Sequence, residues 1–595
     1  MRKCFVLPKL PKDAVVESYR TAFNRIEIND VEIVSFDRSQ DFLSKLKESA
    51  EDIILLIPTI LDPFNACSYD GVDYALRCYF HFVETRQSNF GIVLLGIEEE
   101  SAFWHHCEYA QILKCPHISY IKNNIYAIKE YLNKAGSTTF NIDWQDCIEQ
   151  LKKINIKQPA SYKTHHSITN EWSIYRWSKY LGIKNIEIEK EIEDFLYFNY
   201  LKAIYPETPI DSKQILSLGK GKILLIDDEV GKGWHNFFKS LCNKNSGVEF
   251  DSTGSTFKSL SQEEIIYSVE KKVKDFNPDV VVLDLRLHDD DFDIKDPLQL
   301  TGAKIFELIK TINKGIQIVI FSASNKVWNY LPFASDGVIL KESPELSIKN
   351  NYTQECIKNL RNTLTNCIKR QYLREIYPKF EKVKILLKQY NFFGDKTDVI
   401  LGNIDVAFDL LAKNNRTIGY NAYSFLQLYI VIEEFVNQDS VIDITENDLY
   451  LCNINNRYRL LKDKKKIGGG KMYEYNSVLS FKSHFVLKKD KYQTTRFIDT
   501  NFRISALLIF KFGKPTSSVS GWTDIYNNRN TKAAHPQKGE ITVSDIHQIL
   551  DFMLFFFNEN NASWRDIKDA FPEESMEEQM KKLQEKFSSG NSKKN

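Results

Sequence analysis

The stretch GKILLIDDEV, residues 221–230, constrains the fold more than any other: an apolar run ends abruptly in two adjacent carboxylates. A strand with one wet face alternates apolar and polar residues, whereas Ile223 to Ile226 are apolar without a break. Such a run fits a strand covered on both faces, as in a parallel α/β sheet. Asp227 and Asp228 then fall where the strand reaches the carboxyl edge of its sheet. The run NPDVVVLDLRL repeats the pattern, with Asp284 closing a second apolar strand. A lone carboxylate buried there is costly. If the two strands are neighbours, three acids converge at the edge where ligands of open α/β sheets collect.

The surrounding sequence supports that sheet. Between Lys222 and Pro344 the runs KILLI, GVEF, VVVLD, IQIVIF and GVIL read as strands. The segments between them, such as EEIIYSVEKKVKDF and TGAKIFELIKTI, carry the i, i+3, i+4 spacing of amphipathic helices. Residues 1–135 repeat the alternation with KCFVL, VEIVSF, DIILLI, GIVLLGI and HISYI. At 595 residues the chain is too long for one core. The expected class is multidomain α/β plus all-α: two doubly wound, flavodoxin-like units at 1–135 and 219–345, helical connectors at 136–218 and 346–400, and a helical domain at 401–562. A charged tail, 563–595, follows. Within the helical domain, KKKIGGGKMYEY and VLKKDKYQ form a basic, glycine-centred excursion. Its Lys464, Lys465, Lys466 and Lys471 lack the order of a nucleotide-binding loop and read as a solvated hairpin able to touch RNA phosphates.

Composition excludes several classes. Lys plus Arg and Asp plus Glu balance at 79 each, so no global field draws the chain to nucleic acid or membrane. An apolar fraction of 43% argues against general disorder. The 10 cysteines form no Cys-x-x-Cys pair, which indicates neither a zinc ribbon nor a disulfide framework. No segment approaches the roughly 18 apolar residues of a membrane span. A cytoplasmic protein with reduced thiols and no membrane partner is expected.

Three converging carboxylates repel one another and raise one another's pKa values unless a hard cation neutralises them, and carboxylates with water suit Mg²⁺. Two further strands, IQIVIFSAS and DGVILKES, end in Ser322 and Lys341. A hydroxyl and an ammonium at the same edge suit phosphoryl oxygens. In order and placement these five residues resemble the receiver domain of two-component response regulators, over residues 219–345. The resemblance implies that Asp284 accepts a phosphoryl group from a sensor histidine kinase or another phosphodonor. It implies that Asp227, Asp228, Asp284 and the carbonyl of Arg286 hold Mg²⁺, and that Ser322 and Lys341 bind the phosphoryl group. Two departures stand out. Val338 occupies the place of the usual aromatic before the lysine, and Glu342 follows the lysine where the family has proline. The loop HDDDFDIKDPLQL after Asp284 is also long and acidic. A plainer reading has these acids capping strand ends of an inert domain. The first α/β unit has Ile57 and Pro58 where an acceptor would stand and resembles at most a degenerate receiver, with Lys122 as a weak echo of the lysine.

Near the C-terminus, NNRNTKAAHPQKG places Arg529 and His535 close together ahead of a strongly apolar helix. Histidine moves protons near neutral pH and arginine clamps phosphate, so the pair can support metal-independent attack of an RNA 2′-hydroxyl on its neighbouring phosphorus. The motif resembles that of the HEPN family, which implies an endoribonuclease assembled as a homodimer from one motif per chain. The bland alternative is a helix-capping cluster with Arg529 solvated. His165-His166 ahead of ITNEWSIYRW invites comparison with a phosphorylated histidine, but a packed tryptophan-rich helix suits the segment better. The whole layout implies a phosphorylation-controlled regulator with a ribonuclease output, in stress or phage defence. The competing expectation is a non-catalytic signalling scaffold whose helical domain dimerises or binds a partner.

Overall fold

The computed structural model describes residues 2–6, 21, 31–35, 53–61, 68–135, 142–159, 165–205, 218–243, 247–294, 296–323, 335–348, 351–413, 419–438, 442–445, 448–453, 456–459, 500, 503–504, 507–508, 517–535 and 539–560. They fall into two compact units, residues 1–307 with 318–368, and residues 308–317 with 369–595.

All ten strands expected from the apolar runs form. The first sheet contains β1 (Arg2–Val6), β2 (Val31–Ser35), β3 (Ile53–Pro58), β4 (Phe90–Gly96) and β5 (Ile118–Lys122). The second contains β6 (Gly221–Ile226), β7 (Val248–Thr253), β8 (Val280–Leu283), β9 (Gln317–Ser322) and β10 (Gly337–Leu340). Their spatial orders are β2-β1-β3-β4-β5 and β10-β9-β8-β6-β7. In both sheets the order is 2-1-3-4-5, one of the doubly wound arrangements, which switches direction between the first and third strands. The strand pairings recorded for both are parallel. The unbroken apolar runs follow from this: β3, β4, β8 and β9 are buried along their whole length.

Helices of the first sheet include α1 (Asp70–Thr85), α2 (Glu100–His106) and α3 (Ile125–Ala135). Four more follow: α4 (Trp144–Leu151), α5 (His165–Tyr180), α6 (Ile186–Asp194) and α7 (Leu196–Ile204). Asp143 starts α4 by accepting hydrogen bonds from the backbone of Gln145 and Asp146. The second sheet is flanked by α8 (Trp234–Asn243), α9 (Gln262–Phe276) and α10 (Thr301–Ile312), and α11 (Tyr352–Lys369) follows it. A capping box between Ser261 and Glu264 opens α9, and Asn277 closes it in the left-handed conformation at φ 51°.

One apolar core runs continuously from Ile53 through α5 and the second sheet to Ile368. Helix α5 explains this continuity. Trp172 and Trp177, the residues that read as a packed tryptophan helix, are fully buried. Trp177 sits 5.8 Å from Trp234 of α8 and 6.2 Å from Phe321 of β9, ring centre to ring centre.

The second unit is mainly helical: α12 (Tyr372–Gln389), α13 (Thr397–Lys413), α14 (Gly419–Val436), α15 (Ser517–Asn528) and α16 (Val543–Asn560). Its core is aromatic, with Phe435 wedged against Phe556 and Phe557, and Tyr429 stacked on Trp522 at 5.6 Å. An antiparallel sheet, β11 (Ile442–Thr445), β12 (Asp448–Asn453) and β13 (Asn456–Arg459), interrupts the helices. Helical patterns were expected to dominate here, and the strands are too short for their two-residue alternation to stand out. The basic excursion at Lys464, Lys465, Lys466 and Lys471 and the tail 563–595 lie outside the described residues.

Candidate functional site

Parallel pairing brings the expected residues to one edge of the second sheet. Three main-chain hydrogen bonds join successive strand ends: Asp227 donates to Thr253 at 3.2 Å, Asp284 to Ile226 at 2.9 Å, and Lys341 to Ser322 at 2.8 Å. Asp227, Asp284 and Lys341 therefore follow β6, β8 and β10, Ser322 closes β9 in the same row, and all four are buried. The edge is closely packed. A Cβ on Gly254, whose φ is +138°, would sit 1.8 Å from the Asp227 carbonyl oxygen. A Cβ on Gly302 would sit 2.4 Å from that of Asp284.

Carboxylate oxygens of Asp227, Asp228 and Asp284 all lie within 4.8 Å of one another, so the three form an acidic triad able to hold a metal ion. The donor set fits a hard divalent cation, which prefers carboxylate oxygens. Electrostatics point the same way. Burial, reinforced by Asp227, Glu229 and Asp284, pushes the Asp228 carboxyl up to about 8. Burial also raises Asp227, to about 6, against the opposing pull of Lys341.

Lys341 supplies the positive charge. Its Nζ donates to Asp227 Oδ2 at 2.9 Å and to Asp284 Oδ2 at 3.0 Å. It also lies 4.6 Å from the ring centre of Phe321 and 5.3 Å from that of Trp234, close enough for cation–π attraction. Burial works against the ammonium, but Asp227 and Asp284 outweigh it and hold the group above the ordinary lysine range. The other carboxylate oxygens are oriented from the main chain. Asp284 Oδ1 accepts from the N–H of Leu285 at 2.6 Å and of Arg286 at 3.3 Å, and Asp227 Oδ1 accepts from Glu229 N–H at 2.8 Å. The Arg286 side chain turns away to Phe292, its guanidinium 5.3 Å from that ring centre. Val338 lies partly exposed in β10, paired with Ile320.

Several contributors were not singled out from the sequence. Asp291, within the acidic loop after Asp284, is buried and ties that loop. One of its oxygens accepts from Leu287 and His288, the other from the N–H and hydroxyl of Thr301. Glu229, itself buried, accepts from Lys232 at 3.0 Å and adds a fourth acid beside the triad. Asn170 of α5 reaches the edge from outside the sheet, its Oδ1 accepting from Lys341 Nζ at 2.7 Å. Asp291 has a local signal in its acidic loop. Asn170 stands 171 residues from Lys341, and no sequence pattern joins them.

Arg529 and His535 occupy a separate place in the second unit. Arg529 opens a π-helical turn, Arg529–Ala533, closed by Ala534 N–H donating to the Arg529 carbonyl at 2.8 Å. Such turns recur at functional positions. The guanidinium lies 5.5 Å from the Tyr429 ring centre and donates to Asn530 Oδ1 at 2.9 Å. Its buried Nε has no hydrogen-bond partner, and His535, two residues beyond the turn, is exposed. Asp545 of α16 anchors the preceding helix by accepting from Asn528 at 2.9 Å.

No family model matches this chain, and no curated protein matches it significantly. Among the described residues no helix is long and apolar enough to cross a membrane.

The raised carboxyls set a direction for pH dependence. Folded-state pKa values above the ordinary 3.8 contribute stability that is complete below that value and is lost as pH rises through about 6 and 8. Without divalent cation, Asp228→Asn is therefore expected to be more stable than the unsubstituted chain at pH 8, by on the order of 1 kcal/mol. The gap should close by pH 4. Urea midpoints at the two pH values check this, and a variant less stable at pH 8 contradicts it.

Proposed function

We propose that this chain is a phosphorylation-controlled switch whose second α/β unit acts as a response-regulator receiver and accepts a phosphoryl group on Asp284. The observation that carries the reading is the Lys341 ammonium bonded at once to Asp227 and Asp284, beside a third carboxylate, at the carboxyl edge of a 2-1-3-4-5 sheet. An inert strand-end cap needs neither the excess of buried acids nor a lysine shared between two of them.

In the proposed step a carboxylate oxygen of Asp284 attacks the phosphorus of a phosphodonor, for instance the phosphohistidine of a sensor kinase. The new O–P bond forms as the P–N bond breaks. Its electron pair stays on the imidazole nitrogen, which takes up a proton. Lys341 shifts a hydrogen bond from the carboxylate to a phosphoryl oxygen and balances its charge. The Ser322 hydroxyl, one strand away, donates to another. Asp227, Asp228, Asp284 and the Arg286 carbonyl would hold Mg²⁺, which neutralises phosphoryl charge when bound. The main-chain N–H groups of Leu285 and Arg286 keep Asp284 oriented for attack.

For the output, the π-helical turn that separates Arg529 from the exposed His535 favours a HEPN-like endoribonuclease. His535 moves the proton and Arg529 binds the phosphate under attack, with a second copy of the chain completing the site. A scaffold that changes assembly without cutting RNA is the competing output.

Two experiments test these roles. Acetyl phosphate with Mg²⁺ is expected to label the full chain, with labelling lost in Asp284→Asn; equal labelling of both removes Asp284 from its role. RNA cleavage by the phosphorylated protein should fall at least about a hundred-fold in His535→Ala. A change of oligomeric state on phosphorylation, with no cleavage by the unsubstituted chain, selects the scaffold.

A further inference from the structure

The Lys341 ammonium has three donors, and all three are used: on Asp227, on Asp284, and on Asn170 of α5. Asn170 is fully buried and lies outside the sheet. Its Oδ1 also accepts from Trp234 Nε1 at 2.7 Å. Lys341 and Trp234 can only donate, so the orientation of the amide is fixed, with oxygen toward both. The other limb, Nδ2, is buried and has no hydrogen-bond partner. A buried amide nitrogen left unpaired is costly and calls for an explanation such as an absent ligand. Here the amide shares an ammonium with the proposed acceptor, and what would satisfy its Nδ2 is a hydrogen-bond acceptor.

Helix α5 is also fastened to the residue after Lys341. Glu342 is fully buried, and its carboxylate accepts from Trp177 Nε1 at 3.1 Å and faces Arg176 Nε at 3.5 Å. Ser347 and Thr353 donate to the same carboxylate at 2.7 and 2.9 Å. The Glu342 carbonyl accepts from Ser173 at 2.9 Å. Thus the position that departs from the receiver pattern, an acid after the lysine, adds a second link from the end of β10 to α5. Two successive residues, Lys341 and Glu342, are thus both bonded to α5.

We propose that Asn170 is a phosphoryl-sensing residue: its Nδ2 donates to an oxygen of the phosphoryl group on Asp284, so that α5 reads the phosphorylation state of the second α/β unit. The inference rests on the proposed acceptor role of Asp284. The Nδ2 group asks for a hydrogen-bond acceptor, which a phosphoryl oxygen supplies and a bare divalent cation at the carboxylates does not.

The test uses beryllofluoride with Mg²⁺, a stable mimic of a carboxylate-bound phosphoryl group, on the full chain. Asn170→Asp keeps an acceptor for Lys341 and Trp234 but removes the donor, whereas Asn170→Ala removes both without adding charge. Both variants are expected to bind beryllofluoride about ten-fold or more weakly than the unsubstituted chain. The ¹⁹F spectrum should lose the shift of the fluorine that accepts from Nδ2, a signature that a purely structural role does not produce. Should Asn170→Ala fail to fold, amide exchange in the unsubstituted chain decides: beryllofluoride should slow exchange across residues 165–180. Unchanged affinity and ¹⁹F shifts in Asn170→Asp, or unchanged exchange in α5, overturn the inference while leaving the acceptor intact. No binding by the unsubstituted chain overturns the acceptor role and the inference with it.

Discussion

The second α/β unit is organised around one buried ammonium, that of Lys341, held between Asp227 and Asp284. A buried ion pair seldom adds net stability, because desolvation offsets its attraction. Here the imbalance is larger still, since one cation faces the triad of Asp227, Asp228 and Asp284. Such an arrangement is poorly explained as a stabilising device. The proposed reading accounts for it as a site for added positive charge and for a group whose oxygens the lysine can bind.

The neighbouring structure follows from that requirement. Parallel strands with both faces covered leave their carboxyl ends as the place where polar side chains can converge. Gly254 and Gly302 let the connecting backbone approach the acids closely, and Asp291 ties the acidic loop to Leu287 and Thr301. Helix α5 supplies the remaining wall. It brings two tryptophans, an amide on the lysine, and, for Glu342, two hydrogen-bond donors and the facing Arg176 guanidinium. The proposed phosphoryl transfer and its proposed reading by α5 therefore share one set of hydrogen bonds, which makes the coupling short.

Most of the fold was legible because its signals are local. The central strands of the two parallel sheets are apolar runs bounded by polar or glycine-containing segments, and Asp227, Asp228, Asp284, Ser322 and Lys341 mark strand ends by position alone. The three short strands between Ile442 and Arg459 were missed, being too brief for their alternation to outweigh the helical patterns around them. Asn170 and Glu342 show the other limit. Glu342 was visible only as a departure from a pattern, and Asn170 as one more residue in a tryptophan-rich helix. Their roles depend on a tertiary contact across some 170 positions of sequence. Arg529 and His535 were legible as a pair, but the π-helical turn between them was not, since it arises from how the backbone closes on the Arg529 carbonyl.

The proposed switch depends on Asp284, one of the two carboxylates held by Lys341, becoming an acyl phosphate. Reductive trapping locates it directly: borohydride converts a phosphorylated aspartate to homoserine, and peptide mass spectrometry then identifies the residue. After treatment of the full chain with phosphodonor and Mg²⁺, homoserine is expected at position 284 and at no other aspartate of the triad. An unmodified Asp284 in a chain that carries phosphate elsewhere would contradict the account.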